Sequence, residues 1–288
     1  MDVIWIAVIL VAGILAMLIL PSIYFGKKYA ISTRSPISRT PSDIGIAYSP
    51  VSLMDDGKNI KAWYIPSRGS DKVLIMIPGY GTNKSTLIDL VAPFNKEGFD
   101  LLAMDLAGQG ESDPDRCTYG FDNFNSVLAA IEWVRSNRET QRKKITVLGF
   151  SIGATAALVA ASKTDQLDSV IAEGAIYNMK NIMKIQLQVL GLLGSLYVPL
   201  VMLVYRRTAR ASPQQLNALG RGYSFKAKKL MIIQDSLDKI SPVKPAREIY
   251  AKITAKKEFW EVKESSHTGA FYKNQDEFIR RIADFINE

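Results

Sequence analysis

The stretch Val147-Leu-Gly-Phe-Ser-Ile-Gly-Ala154 limits the folds open to this chain more than any other, because it sets a serine between two glycines where a strand should hand over to a helix. Upstream, Lys144-Ile-Thr-Val-Leu148 is short, apolar and β-branched, and downstream Ala154 to Ala161 has strong helix composition without a turn residue. A turn tight enough to join them leaves no space for side chains at positions 149 and 153, which calls for glycine and lifts Ser151 onto the apex. That is the form of a nucleophile elbow. The plain alternative is a serine that caps the helix behind it. The pentapeptide therefore needs a base, an acid and an oxyanion hole elsewhere in the chain, in the right order.

The flanking pattern supplies a matching frame. Ile44 to Met54 and Asn59 to Pro66, separated by Asp55-Asp-Gly57, read as an antiparallel hairpin with an Asp-Gly turn. Lys72 to Ile77 is a continuous apolar strand of the kind buried on both faces of a parallel sheet. Helices near 84–96 and 122–137, strands at 100–104, 144–148 and 169–173, and the helix from 152 alternate after it. The alternation breaks between 176 and 224, then resumes with a strand from Lys229, a helix near 243–253, a strand at 258–262 and an amphipathic helix from 274 to 287. Such a chain is of the α/β class, a mostly parallel sheet with helices on both faces.

The remaining chemistry falls at the carboxyl ends of those strands. Ile77-Pro-Gly-Tyr-Gly-Thr-Asn-Lys84 follows the third strand, and the amides of Tyr80 and of Ile152, the residue after Ser151, are placed to form an oxyanion hole. The other reading of that loop is an ordinary glycine-rich turn or a phosphate nest, although the Gly-Lys-Ser/Thr ending of a P-loop is absent. Asp238 follows the next-to-last strand and His267 the last, so Ser151, Asp238 and His267 run in the order nucleophile, acid, base. Asp235 and Glu173 compete for the acid position, and Asp238 is preferred because Ile240 and Pro242 follow it as in an acid loop.

These motifs resemble those of the α/β-hydrolases, in particular the serine-aminopeptidase-like and BEM46-like branch with an N-terminal anchor. The resemblance rests on Gly79-Tyr-Gly81, Asp105-Leu-Ala-Gly-Gln-Gly-Glu-Ser112, Gly149 to Gly153, Asp238 to Pro242 and His267-Thr, and spans residues 44–288. Two departures shape the oxyanion side of the pocket: relatives commonly carry His at Pro78 and Arg-Gly-His where Ala107-Gly-Gln109 stands. The family implies an α/β-hydrolase fold with a helical cap inserted at about 176–224, and a serine hydrolase acting through an acyl-enzyme on esters or thioesters. An aminopeptidase or amidase on the same triad, or a non-catalytic membrane scaffold of this fold, are the alternatives.

From Val3 to Phe25 no residue is charged, long enough to cross the roughly 30 Å hydrocarbon core as a helix. Residues 1–25 are expected as a transmembrane anchor and 26–43, rich in Ser, Thr, Pro and basic side chains, as a linker. A cleaved signal peptide lacks support, because Asp2 is the only charged side chain before the run and no small-residue cleavage site follows it. Lys27, Lys28, Arg34 and Arg39 behind the run place the main domain in the cytoplasm by the positive-inside rule. The net charge of +8 admits nucleic acid as a partner, but the basic residues lack interleaved aromatic platforms and any binding motif. One cysteine, Cys117, and one histidine exclude an internal disulfide and a Cys/His zinc site, and no motif calls for a cofactor.

Ile185 to Tyr205 is also uncharged, but a second crossing there would put Ser151 on one side of the bilayer and His267 on the other. The segment is therefore expected as cap helices, with Leu190, Leu193, Leu196, Val201 and Leu203 lining an apolar pocket for a lipid-like acyl substrate. Arg206, Arg207 and Arg210 beside it suit a cap that rests on the membrane, and a cap simply packed on its own domain fits as well.

Overall fold

In the computed structural model, which describes residues 2–217, 219–220 and 223–288, the strands are β1 (Ser49–Asp55), β2 (Lys58–Ile65), β3 (Lys72–Ile77), β4 (Asp100–Met104), β5 (Lys144–Phe150), β6 (Ser169–Glu173), β7 (Lys229–Asp235) and β8 (Lys256–Val262). They form one sheet in the order β1-β2-β4-β3-β5-β6-β7-β8. β1 and β2 pair antiparallel, β2 joins β4 antiparallel, and every pairing from β4 to β8 is parallel. The helices are α1 (Val3–Tyr29), α2 (Ile88–Lys96), α3 (Phe124–Ser136), α4 (Ile152–Ala160), α5 (Met179–Gln186), α6 (Gly194–Ala209), α7 (Val243–Lys252), α8 (Ala270–Lys273) and α9 (Gln275–Asn287).

Strand periodicity decides which face each side chain joins. Val73, Ile75 and Ile77 belong to one buried cluster while Leu74 and Met76 belong to the other, and Leu230 and Ile232 against Met231 and Ile233 repeat the split on β7. The sheet is thus apolar on both faces, and helices cover both. Its middle fixes the site. From β3 the chain goes to β4 on one side, and from β5 to β6 on the other, so the carboxyl ends of β3 and β5 flank a topological switch point where loops part and leave a crevice.

Three expectations need correction. Strand β1 begins at Ser49, not near Ile44: residues Pro41–Ile44 form a 3₁₀ turn with a Thr40/Asp43 capping box, which the Thr-Pro-Ser-Asp sequence encodes. The segment expected as a linker lies along the body. Thr33 meets the Tyr80 hydroxyl, the Ser35 hydroxyl donates to the Gly81 carbonyl, and Arg39 pairs with Asp89. Its hydroxyls thus satisfy backbone and side-chain groups of the loops after β3. Leu193, Leu196 and Leu203 are exposed rather than lining a cavity, while Val201 is buried, because α6 turns its packed face toward α1.

Between β6 and β7 the chain forms α5, a 3₁₀ segment Leu187–Leu193 broken at Gly191, and α6. Helix α6 is fastened to the body through the Tyr205 hydroxyl, which donates to the Cys117 carbonyl at 2.9 Å. Helix α1 is the one described helix long and apolar enough to cross a membrane.

Candidate active site

Ser151 stands at the end of β5 with φ 53° and ψ −112°, a backbone conformation unfavourable for a side chain larger than glycine. The crowding expected at its flanks is severe. A Cβ on Gly149 would lie 2.4 Å from the Gly153 carbonyl carbon, and one on Gly153 would lie 2.5 Å from the Ile77 carbonyl oxygen. Both neighbours are backbone and cannot step aside, so strand, elbow and β3 loop lock together only with glycine at both positions. The Ser151 amide is satisfied by the Glu173 carbonyl, which leaves the hydroxyl free to face the crevice.

His267 follows β8 and reaches both partners expected for it. Its Nε2 is 2.9 Å from the Ser151 Oγ and its Nδ1 is 2.6 Å from Oδ2 of Asp238. Asp238 is buried, and its other oxygen accepts from the Ile240 and Ser241 amides, each at 2.8 Å. The Gln234 amide donates to the Ser241 carbonyl at 2.6 Å and ties this loop to β7. Asp238, and neither rival acid, is therefore the carboxylate on the imidazole.

Asp235 and Glu173 do something else. They end the adjacent strands β7 and β6, are fully buried, and lie side by side beneath the His267 loop. Glu173 accepts from the Ala270 amide at 3.0 Å, and the Gly269 amide approaches Asp235. Burial, and then the nearby Asp235 charge, push the Glu173 carboxyl well above its usual range. Burial also raises Asp235. Glu173 Oε2 and Asp235 Oδ1 have no other partner among the described residues, so a proton held on Glu173 would give the pair its hydrogen bond. The sequence signal for this pair is acidic residues ending two consecutive parallel strands.

On the other side, Gly79 abuts Ser151, and a Cβ there would lie 3.6 Å from the serine Cβ. The Tyr80 and Ile152 amides donate to no acceptor among the described residues. Tyr80 is held by its ring, which stacks on Tyr119 at 5.5 Å, and by its hydroxyl on the Thr33 side chain. Gln109, where relatives commonly carry His, accepts from the Gly81 amide at 2.8 Å and is buried. Lys84 is buried too, with Asp105 and Glu111 each 2.7 Å from its Nζ and the Trp63 ring beneath. This pairing ties the loop after β3 to the loop after β4. Sequence reasoning set Gln109 on the oxyanion side of the pocket without giving it a partner and assigned Lys84 no part, because both act through a loop that is distant in sequence.

A cavity of about 440 Å³ opens over Ser151 and His267. Leu87, Leu90, Ile176, Ile182, Ile240 and Phe271 make most of its wall apolar, and Gln186 and Tyr272 stand with them. Among the described residues no group of three or more His, Cys, Asp or Glu side chains is disposed to hold a metal ion.

A family model described as the alpha/beta hydrolase fold matches residues 72–196. The chain is 27% identical over 120 residues to the polyketide transferase grgF of Penicillium sp, a match covering 41% of each, so the chain spans about two fifths of that relative's length. The esterase Pf2001 of Pyrococcus furiosus superposes with a TM-score of 0.74 at 21% identity, covering 90% of this chain and 97% of that one. The alpha/beta hydrolase GrgF from Penicillium sp. sh18 superposes with a TM-score of 0.65 at 17% identity, covering 84% and 98%. With its strand order, its serine elbow at the switch point and the family match over residues 72–196, the chain has the α/β-hydrolase fold.

Proposed function

We propose that this chain is a membrane-anchored serine hydrolase that cleaves carboxylic esters or thioesters through Ser151, His267 and Asp238. The observation that carries the reading is the unbroken relay from the Ser151 hydroxyl through both nitrogens of His267 to Asp238, set beside two amides without acceptors. Ser151 Oγ attacks the acyl carbon while His267 Nε2 takes its proton, and Asp238 holds the Nδ1 proton and stabilises the imidazolium. The carbonyl electrons move onto oxygen, where the Tyr80 and Ile152 amides stabilise the charge. As the intermediate collapses, His267 returns the proton to the departing alcohol or thiol and leaves an acyl-enzyme. Water, deprotonated by His267, then releases the acid.

The apolar wall of the cavity suits the acyl or alkyl part of a lipid-like substrate. The division of the chain that goes with this reading is an anchor at 1–25, a connecting segment at 26–43 and a hydrolase domain at 44–288 capped by residues 176–224. Lys27 and Lys28 behind the apolar run support a cytoplasmic catalytic domain by the positive-inside rule. The name of the relative grgF, a polyketide transferase, favours one variation, in which a nucleophile other than water takes the acyl group.

The test is labelling of full-length protein in membranes by a fluorophosphonate probe, together with turnover of short p-nitrophenyl esters and thioesters. Labelling and turnover are expected for the native chain, and both are lost in Ser151→Ala and His267→Ala. A folded native chain that neither takes the probe nor turns over any ester, thioester or amide would refute the assignment.

A further inference from the structure

Helices α1 and α6 are packed side by side more extensively than any other pair of elements outside the sheet. A Cβ on Gly26 would lie 2.6 Å from the Val204 Cβ, and the Tyr197 hydroxyl donates to the Met17 carbonyl at 3.3 Å. Both contacts advance along the two helices in the same direction, so the helices run parallel. On the α1 side the approach is made by Ser22 and Gly26, four residues apart, with the Ser22 hydroxyl turned back onto the Leu18 carbonyl. Small residues at that spacing let helix backbones meet closely where lipid supplies no hydrophobic drive.

Parallel packing fixes the relative depth of the two helices. With Val204 beside Gly26 and about 1.5 Å of rise per residue on each, Leu200 lies level with Ser22, and Gly194 with Ala16. A helix needs about 20 residues to cross a hydrocarbon core of about 30 Å, which takes α1 from Val3 to about Ser22 before its near end reaches the headgroups. Everything on α6 before Leu200 is then below the headgroup level. The side chains there match that depth: Leu193, Leu196 and Leu200 are exposed, and so is Val189 in the preceding 3₁₀ segment. The charges match it as well. Lys27 and Lys28 end α1, and Arg206 and Arg207 end α6 at the corresponding height, followed by Arg210.

Resting on the reading of α1 as a membrane helix, we propose that the N-terminal half of α6 and the 3₁₀ segment before it are immersed in the near leaflet of the bilayer beside α1, with the five basic residues at the headgroups. From Leu200 to Gly194 the immersion is about 9 Å, the depth of an interfacial helix rather than of a second crossing. The occupant of this apolar face is lipid acyl chain, and the phosphate level above it accounts for the basic belt. The immersed segment continues into α5, whose Ile182 and Gln186 stand on the cavity wall, so a lipid-borne ester has a short route from leaflet to Ser151.

The experiment uses the full chain with single introduced cysteines carrying an environment-sensitive fluorophore. Cys117 is buried with its thiol pushed up to about 12, and stays unlabelled. Leu10→Cys reports α1, Leu196→Cys reports α6, and Lys252→Cys reports water. The proteins are reconstituted in phosphatidylcholine and phosphatidylglycerol vesicles with bromine on the acyl chains, either near the headgroup or at mid-chain. The expected result is loss of emission at Leu10 with mid-chain bromine, loss at Leu196 with bromine near the headgroup, and no loss at Lys252. Quenching at Leu10 without quenching at Leu196 overturns the immersion of α6 and leaves the anchor standing. No quenching at Leu10 overturns the anchor itself. A Leu196 label shielded from bromine but cross-linked to a second copy of the chain also overturns the proposal, by giving this face a protein partner.

Discussion

Asp238→Asn separates the acid's chemistry from its place in the fold. The native carboxylate uses one oxygen for the Ile240 and Ser241 amides and the other for His267 Nδ1. An asparagine oxygen can satisfy only one of these sides. If it keeps the two backbone amides, its NH₂ faces Nδ1, which must then be the unprotonated nitrogen. Nε2 then carries the proton and cannot take the one on Ser151. Turning the amide around restores the useful tautomer but leaves two buried amides facing an NH₂ group. Each unsatisfied buried donor costs about 1–3 kcal/mol, so the productive state lies about 2–6 kcal/mol uphill. At about 1.4 kcal/mol per tenfold, kcat falls by about 25-fold to about 10⁴-fold, before the lost stabilisation of the imidazolium is counted. The assay is steady-state hydrolysis of a p-nitrophenyl ester beside a thermal melt, with Asp235→Asn as companion. Asp238→Asn should melt close to the native chain and lose kcat with little change in KM. Activity within tenfold of native, or a larger kcat loss in Asp235→Asn at an unchanged melt, would refute the reasoning.

Two other perturbations act on the same frame. Gly153→Ala drives a methyl against the Ile77 and Pro78 carbonyl oxygens, 2.5 and 2.8 Å away, and so pushes the loop after β3 from the elbow. It should cost about 1–3 kcal/mol of stability by overpacking and about 10²-fold in kcat by misplacing the loop, checked by denaturant melts and ester kinetics. Glu173→Gln tests the buried acid pair. A carboxyl whose folded value is raised contributes stability below its unfolded value, about pH 4.5, and that stability is lost as pH climbs through the folded value. The amide can donate to Asp235 at every pH, so the melting temperature of the variant relative to native should increase as pH rises above 4.5. Parallel pH profiles in scanning fluorimetry would count against a proton held on Glu173.

What could be read in the sequence is what depends on local pattern and on strand order. The strands from Lys72 onward announce themselves by apolar runs, and β3 through β8 lie where the alternation puts them. Because loops at the carboxyl ends of parallel strands share one edge, Ser151, Asp238 and His267 could be brought together from their order alone, and they meet within hydrogen-bonding distance. The partnership of Glu173 with Asp235 left only the trace of two acidic residues ending consecutive strands, since the neighbours that bury a carboxyl come from elsewhere in the chain. The 31–40 segment misled for a related reason. Serine, threonine and proline without periodicity read as a free connector, yet hydroxyls are what a strap needs to satisfy the backbone of loops it crosses. The leucines of α6 carried a true apolar signal whose direction was unknowable until α1 was seen to be its partner.

That partnership gives α1 two physical connections to the crevice at Ser151 and His267. Through α6 and α5 it meets the cavity wall at Ile182 and Gln186, and through residues 31–35 it meets Tyr80 and Gly81 in the loop after β3. The two connections part company at different points of the chain. A cut before Met17 removes the exposed part of α1 and keeps Leu18, Ser22 and Gly26 on α6, so the strap and the oxyanion loop stay supported. A cut after Thr40 removes both, exposes the α6 face that Gly26 covers, and leaves Tyr80 without its Thr33 and Ile31 partners. Loss of activity in the longer deletion is therefore no measure of what the bilayer contributes. The shorter one isolates what the exposed length of α1 contributes, because Ser151, His267, Asp238 and the loop after β3 keep their contacts.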